Sequence, residues 1–294
     1  MNSEKPTSVL ISASELETMA NVVLIDTRPP DTYIAGHIAG AVNVHDVFTY
    51  LVTTTAAGTA AMTDKFAQLF GAAGLGGSET AVVYEDRMDT GFGQSCRGYV
   101  FLRYLGYTEA KVRILNGGIA AWVADGKPVT ADVSLPTPKS FPVSTTGRGL
   151  LVDIEEMAQL VQSVENQNQS QSKPGKTVIL DTRDAEEWYG ISSSPYGRDF
   201  SPRKGRIPGA VWIEWYRMME ETDTGVRLKG RDGVMQECTK VGIQPDTEVV
   251  VYCFKGARAS NTLLALQEAG VQNVRLYMGS WNEWSRNPSL PISF

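Results

Sequence analysis

The sequence predicts an α/β protein built from two tandem copies of one domain, each a mainly parallel sheet flanked by helices. Four sequence blocks recur in the same order in the two halves of the 294-residue chain. The pairs are LIDTR and ILDTR, GHIAGAVNV and GRIPGAVWI, AVVYE and VVVYC, and KVRILNGGIAAW and NVRLYMGSWNEW. The two members of a pair are 155, 169, 168 and 162 residues apart, respectively. The order is therefore kept, and only the loops differ in length.

Within each copy, short β-branched runs alternate with helical patterns, as in βαβ units around a parallel sheet. The predicted strands are VVLID (22–26), AVVYE (81–85) and VRIL (112–115), then TVILD (177–181), EVVVYC (248–253) and VRLYM (274–278). Helices are predicted over 93–106 and 257–270, and each ends at a glycine, which tolerates a left-handed cap. Two capping boxes are expected to begin other helices, Ser14 with Glu17 and Asp153 with Glu156.

The expected domain boundaries are 1–127 for the first domain, 128–149 for a linker and 150–294 for the second domain. Four prolines in the middle segment remove backbone donors and disfavour helix, so we predict an extended linker. The polar stretch ENQNQSQSKPGK at 165–176 is typical of a mobile insertion.

Composition excludes several classes of protein. Hydrophobic residues make up 42% of the chain, which excludes global disorder, and the net charge of −6 argues against a nucleic-acid or anionic-membrane binder. No apolar run reaches the roughly 18 residues of a membrane span, and the first residues lack a signal-peptide pattern. We expect a cytoplasmic protein, or a periplasmic one if a signal peptide has been removed. Three cysteines exclude a disulfide scaffold, and two histidines leave little for a zinc site, so we expect no metal and no cofactor.

The loop CFKGAR carries the residues best suited to chemistry. Cys253 ends an apolar strand, and ligands in open α/β sheets bind beyond the carboxyl ends of the strands. Lys255 and Arg258 add positive charge, Gly256 allows a tight turn, and backbone N–H groups converge where a helix begins. This environment favours a thiolate that needs no general base. The other two cysteines lack such a loop, and we interpret them as buried structural residues: Cys96 and Cys238.

These features together resemble the tandem rhodanese family of sulfurtransferases. The resemblance rests on the two DTR blocks, the G-[HR]-I-x-G-A blocks, the cysteine loop and GSWNEW at 279–284, and it covers nearly the whole chain. It implies that the first domain has lost its nucleophile, since Glu85 stands where Cys253 stands in the second. It also implies ping-pong transfer, in which Cys253 takes sulfur from a donor, holds it as a persulfide, and passes it to cyanide or a thiol. The expected substrate-binding residues are Lys255, Arg258, Arg183, Phe254, Gly256 and Ala257.

The resemblance also bears on the donor. The Cys-x4-Arg spacing is shorter than the Cys-x5-Arg loop of related phosphatases and favours a sulfur substrate over phosphate or arsenate. Mercaptopyruvate sulfurtransferases resemble one another in a Cys-Gly-[Ser/Thr]-Gly-Val-Thr loop and place an arginine where this chain has Glu187. Both departures favour thiosulfate, with mercaptopyruvate as the alternative, although Arg258 also replaces the threonine of the vertebrate thiosulfate enzymes. A basic cluster flanks the site and is expected either to steer an anion or to be a solvated loop: Arg198, Arg203, Lys204 and Arg206.

Asp26 and Asp181 end equivalent strands, and we expect structural roles for both, through pairing with His37 and Arg206 respectively. His37 and His45 lie in the first copy and receive no catalytic role. The expected partners are a small anionic sulfur donor and a thiophilic acceptor, which includes a protein acceptor, but neither nucleic acid nor membrane. The sequence has no oligomer signal, and we expect a monomer. The alternative function is a non-turnover persulfide carrier or a partner-binding module.

Overall fold

The structure is a computed structural model that describes residues 8–169 and 177–294. Two compact units are present, and each is assembled from three segments of the chain. The first unit comprises the residues up to Phe48, Lys65–Gly147 and Glu221–Arg227, and the second comprises Thr49–Asp64, Arg148–Glu220 and Leu228–Phe294. The sequence predicts contiguous domains instead. Thr49–Asp64 therefore groups with the second unit and Glu221–Arg227 with the first. The predicted linker groups with the first unit up to Gly147.

The first unit contains a five-stranded sheet in which every pair of neighbouring strands is parallel. Its strands are β1 (Leu10–Ile11), β2 (Val22–Asp26), β3 (Val42–Asn43), β4 (Thr80–Tyr84) and β5 (Val112–Leu115), in the order β1-β5-β4-β2-β3. The helices over this half of the chain are α1 (Ala13–Thr18), α2 (Pro30–Ala35), α3 (Asp46–Thr49), α4 (Ala56–Ala72), α5 (Gln94–Tyr104) and α6 (Gly118–Ala124). A 3-10 turn covers Glu109–Lys111.

The second unit repeats this sheet with the strand order β6-β12-β11-β7-β8, again with parallel neighbours. The strands of this half are β6 (Leu151–Val152), β7 (Thr177–Asp181), β8 (Val211–Trp212), β9 (Met219–Thr222), β10 (Gly225–Leu228), β11 (Glu248–Tyr252) and β12 (Asn273–Tyr277). Strands β9 and β10 form a separate two-stranded ribbon. The helices are α7 (Ile154–Gln169), α8 (Ala185–Trp188), α9 (Arg231–Thr239), α10 (Ala257–Glu268) and α11 (Ser280–Trp284), and 3-10 turns cover Arg148–Leu150 and Trp215–Met218.

The central strands of both sheets have the continuous apolar pattern that the sequence shows. After its first residue, β4 is buried without interruption, and so is β11, because helices cover both faces of a parallel sheet. The side chains of the second core include Ile179, Val250 and Trp284, all fully buried. The six predicted strands are confirmed to within one residue at each end. The α/β prediction is thereby confirmed as well.

Most of the predicted helix boundaries are confirmed, and one is wrong. Gly106 and Gly270 adopt φ values of 90°, as their left-handed cap position requires. Asp153 accepts a hydrogen bond from the backbone N–H of Glu156 at 2.8 Å, as predicted. The first helix, however, is capped by Ser12 with Glu15, two residues before the predicted pair Ser14 and Glu17. Both tetrapeptides fit the capping pattern, and the strand β1 that ends at Ile11 selects the earlier one.

Part of the polar stretch at 165–176 continues helix α7 as far as Gln169. The rest, 170–176, lies outside the described residues, so the predicted mobile insertion is not described there. Within the described ranges, no helix is both long enough and apolar enough to cross a lipid bilayer.

Candidate active site

Cys253 lies at the carboxyl edge of the second sheet, directly after β11. Strand β11 pairs in parallel with β7 in a register that sets Tyr252 beside Asp181, so the residues following both strands meet at this edge. The side chain of Cys253 is 1% exposed. Its sulfur accepts a hydrogen bond from the backbone N–H of Gly256 at 3.2 Å. The loop therefore curls back on the sulfur, as a cradle for a negatively charged atom does.

Helix α11 holds the loop from behind. The carbonyl of Cys253 accepts from the backbone N–H of Trp281 at 3.0 Å, and the carbonyl of Phe254 accepts from that of Asn282 at 2.9 Å. The loop also needs glycine at position 256, where φ is +88° and a Cβ atom would lie 2.3 Å from the sulfur of Met278. These contacts leave the cradle little freedom to rearrange.

Ser280 adopts an unfavourable backbone conformation behind the cysteine. Its φ is +52°, a left-handed value that costs a non-glycine residue about 1–2 kcal/mol. Its hydroxyl accepts the backbone N–H of Cys253 at 3.2 Å and donates to the carbonyl of Tyr277 at 2.9 Å. The equivalent residue of the first unit is Gly118, with φ +65°. The unit that holds the cysteine thus carries a strained serine where the other unit carries a glycine.

Arg258 is a buried and compensated cation. Its guanidinium donates to the carboxylate of Glu187 at 2.6 and 3.1 Å and lies 3.0 Å from Asp184. Burial by itself lowers the pKa of Arg258, but the charges of Glu187 and of the Cys253 sulfur outweigh that effect and raise it well above its usual value. Arg258 and Glu187 are only 4% and 2% exposed. The expectation that the negative charge of Glu187 favours thiosulfate is therefore not supported, because that charge is paired with Arg258.

Arg183 forms part of the framework of the site. It is fully buried, donates to both oxygens of Asp181 and to the carbonyl of Gly205, and lies 4.6 Å above the ring of Trp281. This arrangement argues against the predicted contact between Arg183 and the donor. It also corrects the predicted partner of Asp181, which pairs with Arg183 and not with Arg206.

The same correction applies in the first unit, where Asp26 pairs with Arg28 at 2.6 Å and not with His37. His37 bonds instead to the carbonyls of Tyr33 and Asp132. In both copies the arginine of the DTR block is two residues from its aspartate, so a local pair forms in preference to a distant one. His45, for which no catalytic role is expected, bonds to the carbonyl of Thr27 at 2.8 Å.

The predicted basic cluster is divided among structural contacts. Arg203 donates to four backbone carbonyls between Trp284 and Leu290 and so anchors the C-terminal segment. Lys204 lies 3.0 Å from Asp199, and Arg206 stacks 4.2 Å above the ring of Trp188. Arg198 is exposed. These separate contacts argue against a joint role of the four residues in steering an anion.

The remaining predicted site residues lie beside the sulfur. Lys255 is 8% exposed, and its ammonium lies 5.0 Å from the ring centroid of Tyr196. Phe254 is buried, and its ring meets the edge of Tyr196. Ala257 is buried and begins α10 directly after Gly256. Sequence reasoning missed Tyr196 and Ser280. The signal for Ser280 was its position in GSWNEW, where the first copy has the glycine Gly118.

Glu85 fills the equivalent loop of the first unit with its own carboxylate. Its carbonyl accepts from the backbone N–H of Ile119, as that of Cys253 does from Trp281. Its carboxylate accepts from the backbone N–H of Gln94 at 2.7 Å and from the hydroxyl of Ser95 at 2.9 Å. Burial raises the pKa of Glu85 to about 8, against these two hydrogen bonds, which lower it. The first loop is therefore occupied from within.

The other two cysteines occupy apolar surroundings. Cys96 lies inside α5 and is fully buried. Burial raises the pKa of the Cys238 thiol to about 11, and the charge of Glu237 adds to this effect. Both positions agree with the predicted structural roles.

Comparisons with known proteins agree with the repeated fold. A family model described as the rhodanese-like domain matches twice, at residues 12–125 and 163–287. This chain belongs to the rhodanese family, as its sequence blocks had indicated. Thiosulfate sulfurtransferase from Azotobacter vinelandii is 29% identical over 289 residues, which cover 96% of this chain and 92% of that protein. The chain is accordingly a sulfurtransferase enzyme.

Two further matches extend the comparison, one in sequence and one in fold. The sulfur carrier protein TtuD from Thermus thermophilus is 28% identical over 78% of this chain and 76% of its own length. An anaerobic ergothioneine biosynthesis enzyme from Chlorobium limicola, solved with trimethyl histidine, has a TM-score of 0.76 at 21% identity. The match covers 97% of this chain and 69% of that one, and it shows the shared fold.

Replacing Glu85 with glutamine tests the ionisation of the first loop. A carboxyl whose pKa is about 8 in the folded state binds more protons folded than unfolded, so its contribution to stability is full below about pH 4.5 and is lost as the pH rises towards 8. The wild-type free energy of unfolding should therefore fall by up to about 1.4 kcal/mol per pH unit within that window. Urea unfolding of Glu85→Gln between pH 5 and pH 8 should show a flatter dependence, and identical profiles would contradict the assignment.

Replacing Ser280 separates strain from positioning. Ser280→Ala and Ser280→Gly both remove the hydroxyl, but only glycine relieves the positive φ, so the glycine variant should be more stable than the alanine variant by about 1 kcal/mol. If the hydroxyl positions Cys253, both variants should lose a similar factor in kcat, about tenfold, with little change in KM. Thermal unfolding and steady-state kinetics measure the two effects. If kcat instead changes in parallel with stability, and Ser280→Gly has nearly wild-type kcat, the serine acts on the fold alone.

Proposed function

We propose that this enzyme moves sulfane sulfur from thiosulfate to a thiophilic acceptor through a persulfide on Cys253. The observation that carries the proposal is the Cys253 sulfur, held at the carboxyl edge of the sheet with the backbone N–H of Gly256 directed at it from 3.2 Å. Such a cradle stabilises a negative sulfur in the free enzyme. It can equally stabilise the terminal sulfur of a persulfide.

The two half-reactions balance without a cofactor. The Cys253 thiolate attacks the outer sulfur of thiosulfate, an S–S bond to Cys253 forms, the bond to the sulfonate sulfur breaks, and sulfite leaves with the electron pair. In the second step, cyanide or a thiolate attacks the terminal sulfur of the persulfide. The bond to Cys253 breaks, and Cys253 leaves as a thiolate.

The charges around Cys253 support Lys255 as the donor-binding cation. Arg258 is compensated by Glu187 and Asp184, so its role is to set the electrostatic environment of the sulfur. Lys255 lies in the same loop, two residues after the cysteine. Phe254 and the backbone of Gly256 and Ala257 complete the contacts that we propose for the donor. Mercaptopyruvate is the alternative donor. An arginine introduced at position 187 would face the guanidinium of Arg258 and not the carboxylate of mercaptopyruvate.

A persulfide carrier is the alternative function, and the relative named as a sulfur carrier favours it. A carrier loads one sulfur atom per chain and releases it only to a specific protein acceptor. A turnover enzyme transfers many equivalents to a small acceptor such as cyanide. Counting thiocyanate formed per chain separates the two.

Replacing Cys253 with serine tests the nucleophile. Transfer of sulfur from thiosulfate or mercaptopyruvate to cyanide should fall by about 10³-fold or more, because the hydroxyl is neither ionised nor able to form a persulfide. Mass spectrometry of thiosulfate-treated wild type should show one extra sulfur atom on the peptide that carries Cys253. The matched control is Cys238→Ser, which should load and turn over normally.

Either of two results would refute this proposal: substantial turnover by Cys253→Ser, or an extra sulfur atom on another cysteine. The ratio of the two donors in the wild type tests the thiosulfate assignment. A higher kcat/KM for mercaptopyruvate would refute that assignment and leave the nucleophile intact.

Replacing Glu187 with glutamine tests the charge balance. Removing one negative charge next to Arg258 should lower the KM for thiosulfate by roughly fivefold, equivalent to about 1 kcal/mol. The ratio of alkylation rates with iodoacetate and iodoacetamide should rise, because only the first reagent is an anion. Glu186 is exposed, so Glu186→Gln makes the same charge change one residue away and should leave both readouts near wild type. Equal effects of the two variants would contradict a specific role for Glu187.

A further inference from the structure

A segment near the active site is longer in the second unit than in the first. Nine residues lie between Asp26 and Gly36, whereas 23 lie between the equivalent Asp181 and Gly205. The part of this segment that follows Gly190 carries two aromatic side chains, Tyr196 and Phe200, which we call the aromatic edge. The sulfur-transfer mechanism proposed above assigns no role to the aromatic edge.

The aromatic edge lies against the catalytic loop. The rings of Tyr196 and Phe200 both meet the ring of Phe254 edge-on, with centroid distances of 5.5 Å and 6.0 Å respectively. Phe254 directly follows Cys253. Tyr196 and Phe200 are 5.3 Å apart. They remain 48% and 51% exposed, while Phe254 is buried. Two adjacent rings against Phe254, the residue after the cysteine, therefore keep about half of their surface open to solvent.

Polar contacts hold the segment that carries the edge. The hydroxyl of Ser192 donates to the carbonyl of Ser194, and the hydroxyl of Ser194 donates to the carbonyl of Gly197. The hydroxyl of Ser193 accepts from the backbone N–H of Ser201 at 3.0 Å. Since these bonds order the loop, the open faces of the rings are not needed to hold it. Exposed apolar surface next to a reactive group is typical of a ligand site.

We propose that the aromatic edge binds the sulfur acceptor, and that this acceptor is a small thiol with an apolar or aromatic body. This inference rests on the proposed persulfide chemistry of Cys253 and assigns the class of the second substrate. The size of the edge favours a small molecule. Two half-open rings offer about 200 Å² of surface, whereas a stable protein interface needs roughly 800 Å² on each partner.

The edge discriminates between acceptors by the surface they cover. Covering about 60 Å² of apolar ring surface changes affinity roughly tenfold. A thiol with a phenyl group can cover that area while its sulfur attacks the terminal sulfur of the persulfide. The new bond joins the two sulfur atoms, the product leaves as an organic persulfide, and Cys253 is released as a thiolate. Cyanide has no apolar body, so the edge contributes nothing to its binding.

Single-turnover kinetics on the full chain tests the inference. The enzyme is loaded with thiosulfate, freed of donor, and mixed with 2-phenylethanethiol, 2-mercaptoethanol or cyanide. The loss of the extra sulfur from Cys253 is then followed by quenched mass spectrometry. Phe200→Ala is the better variant, because Tyr196 also contacts Lys255. It should raise the half-saturating concentration of 2-phenylethanethiol about tenfold. It should leave the other two acceptors and the loading step unchanged.

Tyr189→Ala is the matched control, because Tyr189 is 63% exposed and its ring contacts Trp212, not Phe254. It should behave as wild type with all three acceptors. An unchanged half-saturation for 2-phenylethanethiol in Phe200→Ala, or an equal loss with all three acceptors, would overturn the inference. Wild type that accepts no sulfur from the donor would refute the proposed function instead, so the two failures are distinguishable.

Discussion

The hydrogen bonds between the catalytic loop and the first turn of α11 are the constraint on which the rest of the site depends. Two successive loop carbonyls, those of Cys253 and Phe254, accept from two successive N–H groups of Trp281 and Asn282. The first unit makes the same pair of bonds, from Ile119 and Ala120 to the carbonyls of Glu85 and Asp86. The attachment thus persists without the nucleophile. It belongs to the fold, because otherwise buried carbonyls at the end of a central strand would lack donors.

On this common framework, the two units resolve the same electrostatic problem differently. Converging N–H groups at the end of a parallel strand favour a negative group. The first unit fills this position from within with the carboxyl of Glu85, which accepts hydrogen bonds from Gln94 and Ser95. The second supplies a compact sulfur atom under the N–H of Gly256. One loop is filled by its own side chain, and the other presents a nucleophile.

The positive charge of the second site is largely balanced. Arg183 is neutralised by Asp181 and Arg258 by Glu187, through short contacts between buried side chains. Asp184, which is partly exposed, adds a second short contact to Arg258. A buried guanidinium needs such partners, because an unpaired charge loses its hydration. In the proposed mechanism, Lys255 is assigned to the sulfur donor, and apolar surface is assigned to the sulfur acceptor. We propose the aromatic edge, within one loop of the second unit, as that apolar surface.

The sequence alone determined the repeated α/β fold, the central strands, the glycine positions and Cys253 as the candidate nucleophile, because these follow from local periodicity, backbone geometry and internal repetition. It did not determine which side chains pair. The sequence predicts that Asp181 pairs with Arg206, but Asp181 pairs with Arg183, and the carboxylate of Glu187 binds Arg258. Such choices depend on which groups the parallel register brings to one edge and on how completely each is buried. Only the tertiary structure decides them, because the cost of an unpaired buried charge arises when the chain packs.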